Sequence, residues 1–173
     1  QLSGNFALKS SGEKDVYNDL AKHLESLGYD RCVVQTGFSQ VSFGMEIYAF
    51  DAYCPKELIK ADGVIPVENP EALYETCNIV SIHIPATPGT RMSINYNLLN
   101  RMPKNGLIVN TARKEVINEI ELVKVMEDRA DLKYVTDIMP DDHAELTEKF
   151  AGRYFTTPKK MGAETAEANI NAG

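Results

Sequence analysis

The stretch GLIVNTARKEVINEIELVKVMEDR, residues 106–129, decides the fold because it joins a strand to a helix through a short loop. Its opening run, GLIVNT, is apolar on both faces, which is typical of a strand covered by helices on both sides of a parallel sheet. Asn118 and Glu121 stand at capping-box spacing before an apolar stripe, which predicts a helix start at Asn118. The stretch therefore predicts one β-α unit with Arg113 in its loop.

The same alternation of strand and helix patterns continues along the chain. Runs rich in β-branched and aromatic residues predict further strands at residues 5–9, 31–36, 45–51, 78–84, 132–138 and 153–157. Helix starts are indicated by a capping box at Ser10 and Glu13 and by first-turn prolines at Pro55 and Pro70, the latter behind Asn69 as N-cap. We therefore expect an α/β fold with a doubly wound, mostly parallel Rossmann-like sheet and helices on both faces.

The composition limits the classes of function. A chain of 173 residues with 43% hydrophobic residues is expected to form one domain, residues 1–173. A net charge of −7 and a pI near 5.0 disfavour nucleic acid and anionic membranes as partners. No apolar run approaches the roughly 18 residues of a membrane span. Because the chain begins at Gln1 without a methionine, we expect its N-terminus to have been cut.

The three cysteines, Cys32, Cys54 and Cys77, form no CxxC pair and have no histidine at ligand spacing. The pattern predicts neither a metal site nor a disulfide framework. Free thiols in a reducing cytoplasm are the expected state.

Two residues at predicted strand ends are candidates for anion and ribose recognition. Arg113 lies at the carboxyl edge of the sheet, where ligands bind in such folds, and its guanidinium could fork onto a carboxylate or phosphate. The alternative is a surface arginine that pairs with Glu115 or Glu119. Asp51 ends its strand, where an acid can accept both ribose hydroxyls of an adenosine. The alternative for Asp51 is a helix N-cap or an ordinary loop acid.

Further polar residues follow two other strands. His83, near the end of an apolar strand, could contact a ligand or could be a satisfied structural group. Asp137 again stands at the carboxyl edge. The run Asp141, Asp142 and His143 beyond it is typical of a solvated loop.

The last predicted strand is followed by two adjacent lysines, Lys159 and Lys160. Near a cleft, two such ammonium groups lower each other's pKa, and one could then take a proton at neutral pH; the alternative is two solvated lysines. The glycine fingerprint of a dinucleotide-binding turn is absent, since only Gly37 and Gly44 lie between the predicted strands 31–36 and 45–51.

Four segments between Met45 and Gly173 carry a family resemblance: MEIYAFDAYCPKE, SIHIPATPGTRMSINYNLLNRMPKNGLIVNTARKEVINE, LKYVTDIMP and TPKKMGAETAEANINAG. Together they resemble the NAD-binding domain of the D-isomer-specific 2-hydroxyacid dehydrogenases, and within that family the phosphoglycerate dehydrogenases. The resemblance implies NAD-dependent hydride transfer at C2 of 3-phosphoglycerate, a small phosphorylated 2-hydroxy acid, in serine biosynthesis in the cytoplasm. Family members pair through these domains, so a homodimer is also implied.

The resemblance also implies roles for individual residues. Arg113 matches the catalytic arginine that binds the substrate carboxylate and polarises the reacting oxygen, and Lys160 stands near the position of the family's acid/base histidine. Asp51 matches the acid on the adenosine ribose, and Asp137 matches the aspartate near the nicotinamide carboxamide. Further positions are implied to line the cofactor: His83, Pro85, Thr90, Thr111, Ala112 and Gly162.

Two departures from the family pattern complicate this assignment. The carboxylate that orients the acid/base group has no clear counterpart, with Asp142 nearest in spacing and Glu145 as the alternative. Residues 1–44 are atypical, a strand at 31–36 intervenes where none is expected, and the substrate domain is expected to be absent. The second hypothesis is therefore a non-catalytic Rossmann-like binding or structural module that has lost its phosphate-binding turn.

Overall fold

The structure, a computed structural model, describes residues 31–33 and 46–157. These residues fall into two compact units, the first formed by residues 31–33, 46–81 and 101–106 and the second by residues 82–100 and 107–157. The predicted strand at 5–9 and the predicted helix start at Ser10 lie outside the described residues.

The first unit contains parallel strands. They are β1 (Arg31–Val33), β2 (Glu46–Ala49), β3 (Ile65–Pro66) and β4 (Ile79–Ile82), the last residue of which belongs to the second unit. The order is β3-β2-β1-β4, and every pair is parallel. The predicted strands at 31–36, 45–51 and 78–84 are thus confirmed, whereas β3 was not predicted because it is only two residues long.

Strand β1, which departs from the family pattern in the sequence, belongs to this sheet. β1 pairs with β2 on one side and with β4 on the other. The strand predicted at residues 31–36 is therefore present at Arg31–Val33, although the family resemblance implied no strand there. A central position between two parallel neighbours satisfies the backbone hydrogen bonds of β1 on both sides.

Two helices belong to the first unit, α1 (Lys56–Ala61) and α2 (Pro70–Thr76). The predicted start of α2 is confirmed, because Pro70 is the first helical residue and the Asn69 side chain accepts a 2.8 Å hydrogen bond from Ala72 N. Pro55 lies one residue earlier than predicted, at the N-cap of α1. The buried apolar residues of this unit are Ile47, Ala49, Ile59, Leu73, Tyr74, Cys77, Ile79, Val80 and Met102.

The second unit contains three parallel strands, β5 (Leu107–Asn110), β6 (Lys133–Thr136) and β7 (Tyr154–Thr156). Their register places Asn110 beside Thr136, and Thr136 beside Thr156. The strands predicted at residues 106–111, 132–138 and 153–157 are confirmed. With the parallel pairs of the first unit, they confirm the predicted α/β, Rossmann-like fold class.

The helices of the second unit cover an apolar core. They are α3 (Tyr96–Leu99), a 3₁₀ turn (Lys114–Val116), α4 (Glu119–Asp128) and α5 (His143–Lys149). The buried apolar residues are Ile82, Ile94, Leu98, Leu99, Ile108, Val116, Ile117, Leu122, Val123, Val125, Met126, Leu132, Tyr134, Leu146 and Phe150. No helix among the described residues has the length and apolar character needed to span a bilayer.

The segment predicted as a solvated loop at residues 141–143 is one only in part, since Asp141 is an exposed turn residue, Asp142 is the N-cap of α5 and His143 is its first helical residue. Leu146 of this helix is fully buried, and the His143 ring nitrogen Nδ1 lies 3.0 Å from the hydroxyl of Tyr154 on β7. The helix that begins at His143 was not predicted, because these tertiary contacts outweigh the polar character of the run.

The capping box predicted for α4 forms only in part. Asn118 accepts a 3.3 Å hydrogen bond from Glu121 N, as predicted. The Glu121 carboxylate, however, accepts a 2.7 Å hydrogen bond from Tyr96 N, the first residue of α3. One glutamate of α4 therefore stabilises the start of the neighbouring helix.

Candidate functional site

The loop that follows β5 presents an exposed arginine. Arg113 has extended backbone angles, φ −146° and ψ 138°, and precedes the 3₁₀ turn. Its guanidinium is exposed to solvent, and Nη1 donates a 2.9 Å hydrogen bond to Ala112 O. Within the described residues Arg113 forms no ion pair with Glu115 or Glu119, so the surface-pairing alternative is not realised.

The buried side-chain amide of Asn110 supports this loop through hydrogen bonds. Asn110, the last residue of β5, is 0% exposed. Its side-chain oxygen accepts a 3.1 Å hydrogen bond from Ala112 N, and its side-chain nitrogen donates a 3.0 Å hydrogen bond to Arg113 O. The turn of Thr111, Ala112 and Arg113 is therefore fastened to the end of the strand.

Thr136, the last residue of β6, joins the ends of β5 and β6. Its buried hydroxyl donates a 2.8 Å hydrogen bond to Asn110 O and accepts a 3.1 Å hydrogen bond from Ile138 N. The backbone nitrogen of Asp137 lies 3.4 Å from the same Asn110 oxygen. The structure thus brings half-buried Asp137 beside the loop of Arg113, at the carboxyl ends of neighbouring parallel strands.

The segment after Asp137 is tied to the same loop. Lys114 forms an ion pair with Asp141, and the Glu119 carboxylate accepts a 3.1 Å hydrogen bond from Asp142 N. Burial raises the pKa of Glu119 above its ordinary value, and the backbone N–H groups that it accepts from oppose the rise.

A second loop, residues 85–94, carries the predicted cofactor-contacting residues Pro85 and Thr90. The Thr90 hydroxyl donates a hydrogen bond to Pro85 O and accepts a 2.8 Å hydrogen bond from Thr87 N. The side chain of Thr90 therefore closes the loop on itself, while Pro85 is exposed.

Backbone hydrogen bonds fasten this second loop alongside the 3₁₀ turn. Met92 N donates to Glu115 O at 2.9 Å, Ile94 N donates to Val116 O at 3.1 Å, and Asn118 N donates to Ile94 O at 2.9 Å. Met92 has a φ of 53°, a left-handed conformation that costs energy in a residue other than glycine. The two loops thus form one supported surface within the second unit.

His83 follows β4 and is half-buried. Burial lowers the pKa of its imidazole below the ordinary value, which keeps the ring neutral near pH 7. A neutral imidazole can donate or accept a hydrogen bond.

Asp51 lies two residues beyond the end of β2, in the first unit. Its Oδ1 accepts hydrogen bonds from Tyr53 N at 2.8 Å and from Cys54 N at 3.1 Å. One oxygen therefore has the role expected of a loop acid. The other oxygen, Oδ2, makes no hydrogen bond with the described part of the chain, so the carboxylate keeps an acceptor for a ligand.

Some predicted residues cannot be placed. Lys160 and Gly162 lie outside the described residues, as do Gly37 and Gly44.

The two candidate carboxylates have other roles in the structure. Asp142 is the N-cap of α5, and Glu145 forms a 2.7 Å ion pair with Lys149. Among the described residues, Cys54 and Cys77 are not joined in a disulfide. Within residues 31–33 and 46–157, no cluster of histidine, cysteine and acidic side chains could hold a metal ion.

Sequence reasoning missed Asn110 and Thr136. A signal was available, since each stands two residues after a buried side chain of its own strand, Ile108 and Tyr134 respectively, and so on the same face. A small polar residue at such an inward position indicates a buried hydrogen-bonding role.

Comparisons with known proteins agree on one family. The sequence profile described as D-isomer specific 2-hydroxyacid dehydrogenase, NAD binding domain, matches residues 35–158. A D-3-phosphoglycerate dehydrogenase of Methanocaldococcus jannaschii is 33% identical over 88% of this chain and 29% of its own length. The corresponding enzyme of Haemophilus influenzae is 26% identical over 88% of this chain and 38% of its own length.

A solved structure gives the same result. The NAD⁺-bound 3-phosphoglycerate dehydrogenase of Entamoeba histolytica superposes with a TM-score of 0.73 and 31% identity. The match covers 92% of this chain and 57% of that chain. This chain therefore spans about a quarter to three fifths of the length of these relatives.

Proposed function

We infer the function of this chain from its family, because the chain belongs to the D-isomer specific 2-hydroxyacid dehydrogenases and contains their NAD-binding domain. We propose that it is the cofactor domain of an enzyme that oxidises D-3-phosphoglycerate to 3-phosphohydroxypyruvate. The observation that carries the proposal is the exposed Arg113, held at the carboxyl end of β5 by a buried amide.

In the proposed chemistry, Arg113 binds the anionic substrate. NAD, when bound, supplies the hydride acceptor at its nicotinamide ring. The Arg113 guanidinium has donors that can bind the substrate carboxylate and polarise the reacting C2 oxygen. Within residues 31–33 and 46–157, the guanidinium makes one hydrogen bond, to Ala112 O, and its other donors remain available to a ligand.

We propose that Asp51, in the first unit, binds the adenosine ribose of NAD. Asp51 is anchored through Oδ1, and Oδ2 can accept from a ribose hydroxyl. A carboxylate there would repel a 2′-phosphate, which favours NAD over NADP. In the second unit, Asp137 at the end of β6 suits the nicotinamide carboxamide, and we propose that His83, Pro85, Thr90, Thr111 and Ala112 border the same cofactor.

The acid/base step is proposed to use Lys160. A lysine can accept the proton of the C2 hydroxyl only if desolvation or a neighbouring cation lowers its pKa. Gly162 is proposed to border the cofactor beside it. Of the two candidate carboxylates, Asp142 is preferred in this proposal, because Glu145 forms an ion pair with Lys149.

The choice of substrate rests on similarity to the three phosphoglycerate dehydrogenases named above. We propose that residues 1–173 form the nucleotide-binding domain and not the substrate domain. A place in serine biosynthesis, a cytoplasmic location and a homodimer belong to the same proposal.

A second candidate function is a Rossmann-like binding or structural module without turnover. One observation favours it: only residues 34–45 connect the parallel strands β1 and β2, and they contain no GxGxxG sequence. A weakened backbone cradle for the pyrophosphate would lower the affinity for NAD.

NADH titration by fluorescence enhancement or calorimetry distinguishes the two candidates. We expect micromolar binding by the unaltered chain and a loss of about tenfold or more in Asp51→Asn, since a charge-assisted hydrogen bond contributes about 1.5–3 kcal/mol. Asparagine keeps the Oδ1 acceptor for the loop but removes the charge. Asp62→Asn is the matched control, because it removes an acid of the same unit, from the end of α1, and should leave binding unchanged.

Each outcome separates the two proposals. Binding that Asp51→Asn weakens and Asp62→Asn does not supports the cofactor domain, and an assay with 3-phosphoglycerate then follows. No binding at millimolar NADH would reject it in favour of the non-catalytic module.

A further inference from the structure

The side chain of Asn110 is the starting observation. Asn110 is 0% exposed, although it ends a strand whose other inward residue, Ile108, is apolar. Burial of an amide is unfavourable unless its polar atoms are paired. Both of its polar atoms bond to one short turn, at Ala112 N and Arg113 O.

The two hydrogen bonds enclose the backbone of the arginine. The first holds the N–H group of the residue before Arg113, and the second holds the carbonyl group of Arg113 itself. The backbone angles of Arg113 are thereby set from both sides, and the side chain leaves the turn toward solvent. An apolar residue at position 110 could fill the same volume but could set neither group.

The position of Asn110 is itself fixed by contacts with β6. Its backbone oxygen accepts from the Thr136 hydroxyl at 2.8 Å, and Asn110 pairs with Thr136 in the register of β5 and β6. The support of the Arg113 turn therefore extends into the parallel sheet of the second unit.

We propose that Asn110 is a positioning residue, which acts through the backbone of residues 112 and 113 to hold the Arg113 guanidinium in place for a 2-oxo or 2-hydroxy acid carboxylate. This inference rests on the proposed function for the ligand class. It rests on the hydrogen bonds alone for the placement of the turn.

The first test needs no cofactor. Amide hydrogen exchange measured by NMR should show faster exchange at Ala112 N in Asn110→Ala, by about tenfold or more for one lost hydrogen bond. In Asn110→Asp, which retains an acceptor for Ala112 N, the change should be smaller. Ile108→Val is the matched control, since it alters a fully buried side chain on the same face without touching the turn.

The second test separates positioning from general destabilisation. Oxamate, an unreactive analogue of 2-oxo acids, is titrated into the chain saturated with NADH. In Asn110→Ala the affinity for oxamate should fall about tenfold further than the affinity for NADH, because Arg113 and not the adenosine site is displaced. Asn110→Asp should recover part of the loss.

The outcomes are decisive in both tests. Unchanged exchange at Ala112 in both Asn110 variants overturns the inference. Equal losses of oxamate and NADH affinity, or the same losses in Ile108→Val, also overturn it. If the unaltered chain does not bind NADH, the proposed function fails, and the exchange measurement alone decides the placement of the turn.

Discussion

Replacement of Thr136 by valine tests whether the buried hydroxyl at the end of β6 stabilises the paired strand ends. Valine has nearly the same volume as threonine, so the change removes hydrogen bonds without creating a cavity. Thr136 is 1% exposed. Its hydroxyl donates a 2.8 Å hydrogen bond to Asn110 O and accepts a 3.1 Å hydrogen bond from Ile138 N. Both backbone groups lose this partner in Thr136→Val.

The expected cost follows from these two groups. Each buried backbone group left without its partner costs about 1–3 kcal/mol. Asn110 O keeps a long contact with Asp137 N at 3.4 Å, which reduces its share. We therefore expect the free energy of unfolding to fall by about 2–3 kcal/mol, which for a chain of this size lowers Tm by roughly 4–12 °C.

The change in the free energy of unfolding is measured by urea unfolding followed by circular dichroism. It is read from the shift of the urea midpoint at a constant dependence of the free energy on urea concentration. Thr156→Val is the matched control, because Thr156 lies beside Thr136 in the register, is half-buried, and donates a long 3.3 Å hydrogen bond to Thr157 O. We expect that control to cost less than about 1 kcal/mol. Equal midpoint shifts in the two valine variants would refute the reasoning.

Three further predictions concern a helix cap and two titrating groups. Asn69→Ala removes the hydrogen bond to Ala72 N and should lower the free energy of unfolding by about 1 kcal/mol in urea, whereas Asn78→Ala, which loses only a 3.4 Å bond, should change it less. The His83 imidazole should titrate below 6.5 by NMR because burial lowers its pKa, and a higher value would contradict its burial. Burial raises the pKa of Glu119 in the folded state, so its protonation favours folding, and stability declines as pH rises from the ordinary value of 4.5 through the folded pKa. Glu119→Gln should therefore be more stable than the unaltered chain at pH 7, and urea midpoints at several pH values should show the difference shrinking as the pH falls through the raised folded pKa and disappearing below about pH 4.5.

The strands of this protein were predictable, whereas two helices were not. β-branched and apolar runs identified every described strand except the two-residue β3. Helix α3 has four residues, and its first N–H group is satisfied by Glu121, which lies 25 positions later in the sequence. The start of α5 depends on contacts with Tyr154. Local patterns contain no information about such distant partners.

The candidate site was predictable to the same extent as the strand ends. Arg113 and Asp137 were found because residues that follow parallel strands meet at one edge of a sheet. Asn110 and Thr136 were missed because a buried polar side chain has a meaning only when its partners are known. Their partners are backbone groups, which no side-chain motif identifies.

The fastening of residues 85–94 has a consequence for protein engineering. The hydrogen bonds from Met92 and Ile94 to the 3₁₀ turn are made by main-chain atoms, and such bonds do not depend on which side chains the neighbouring residues carry. A Cβ atom placed on Gly89 would meet nothing within 4 Å. The exposed positions 88 and 89 are therefore suited to randomisation, and a library at these two positions would vary the chemistry of the loop surface while the main-chain hydrogen bonds are kept.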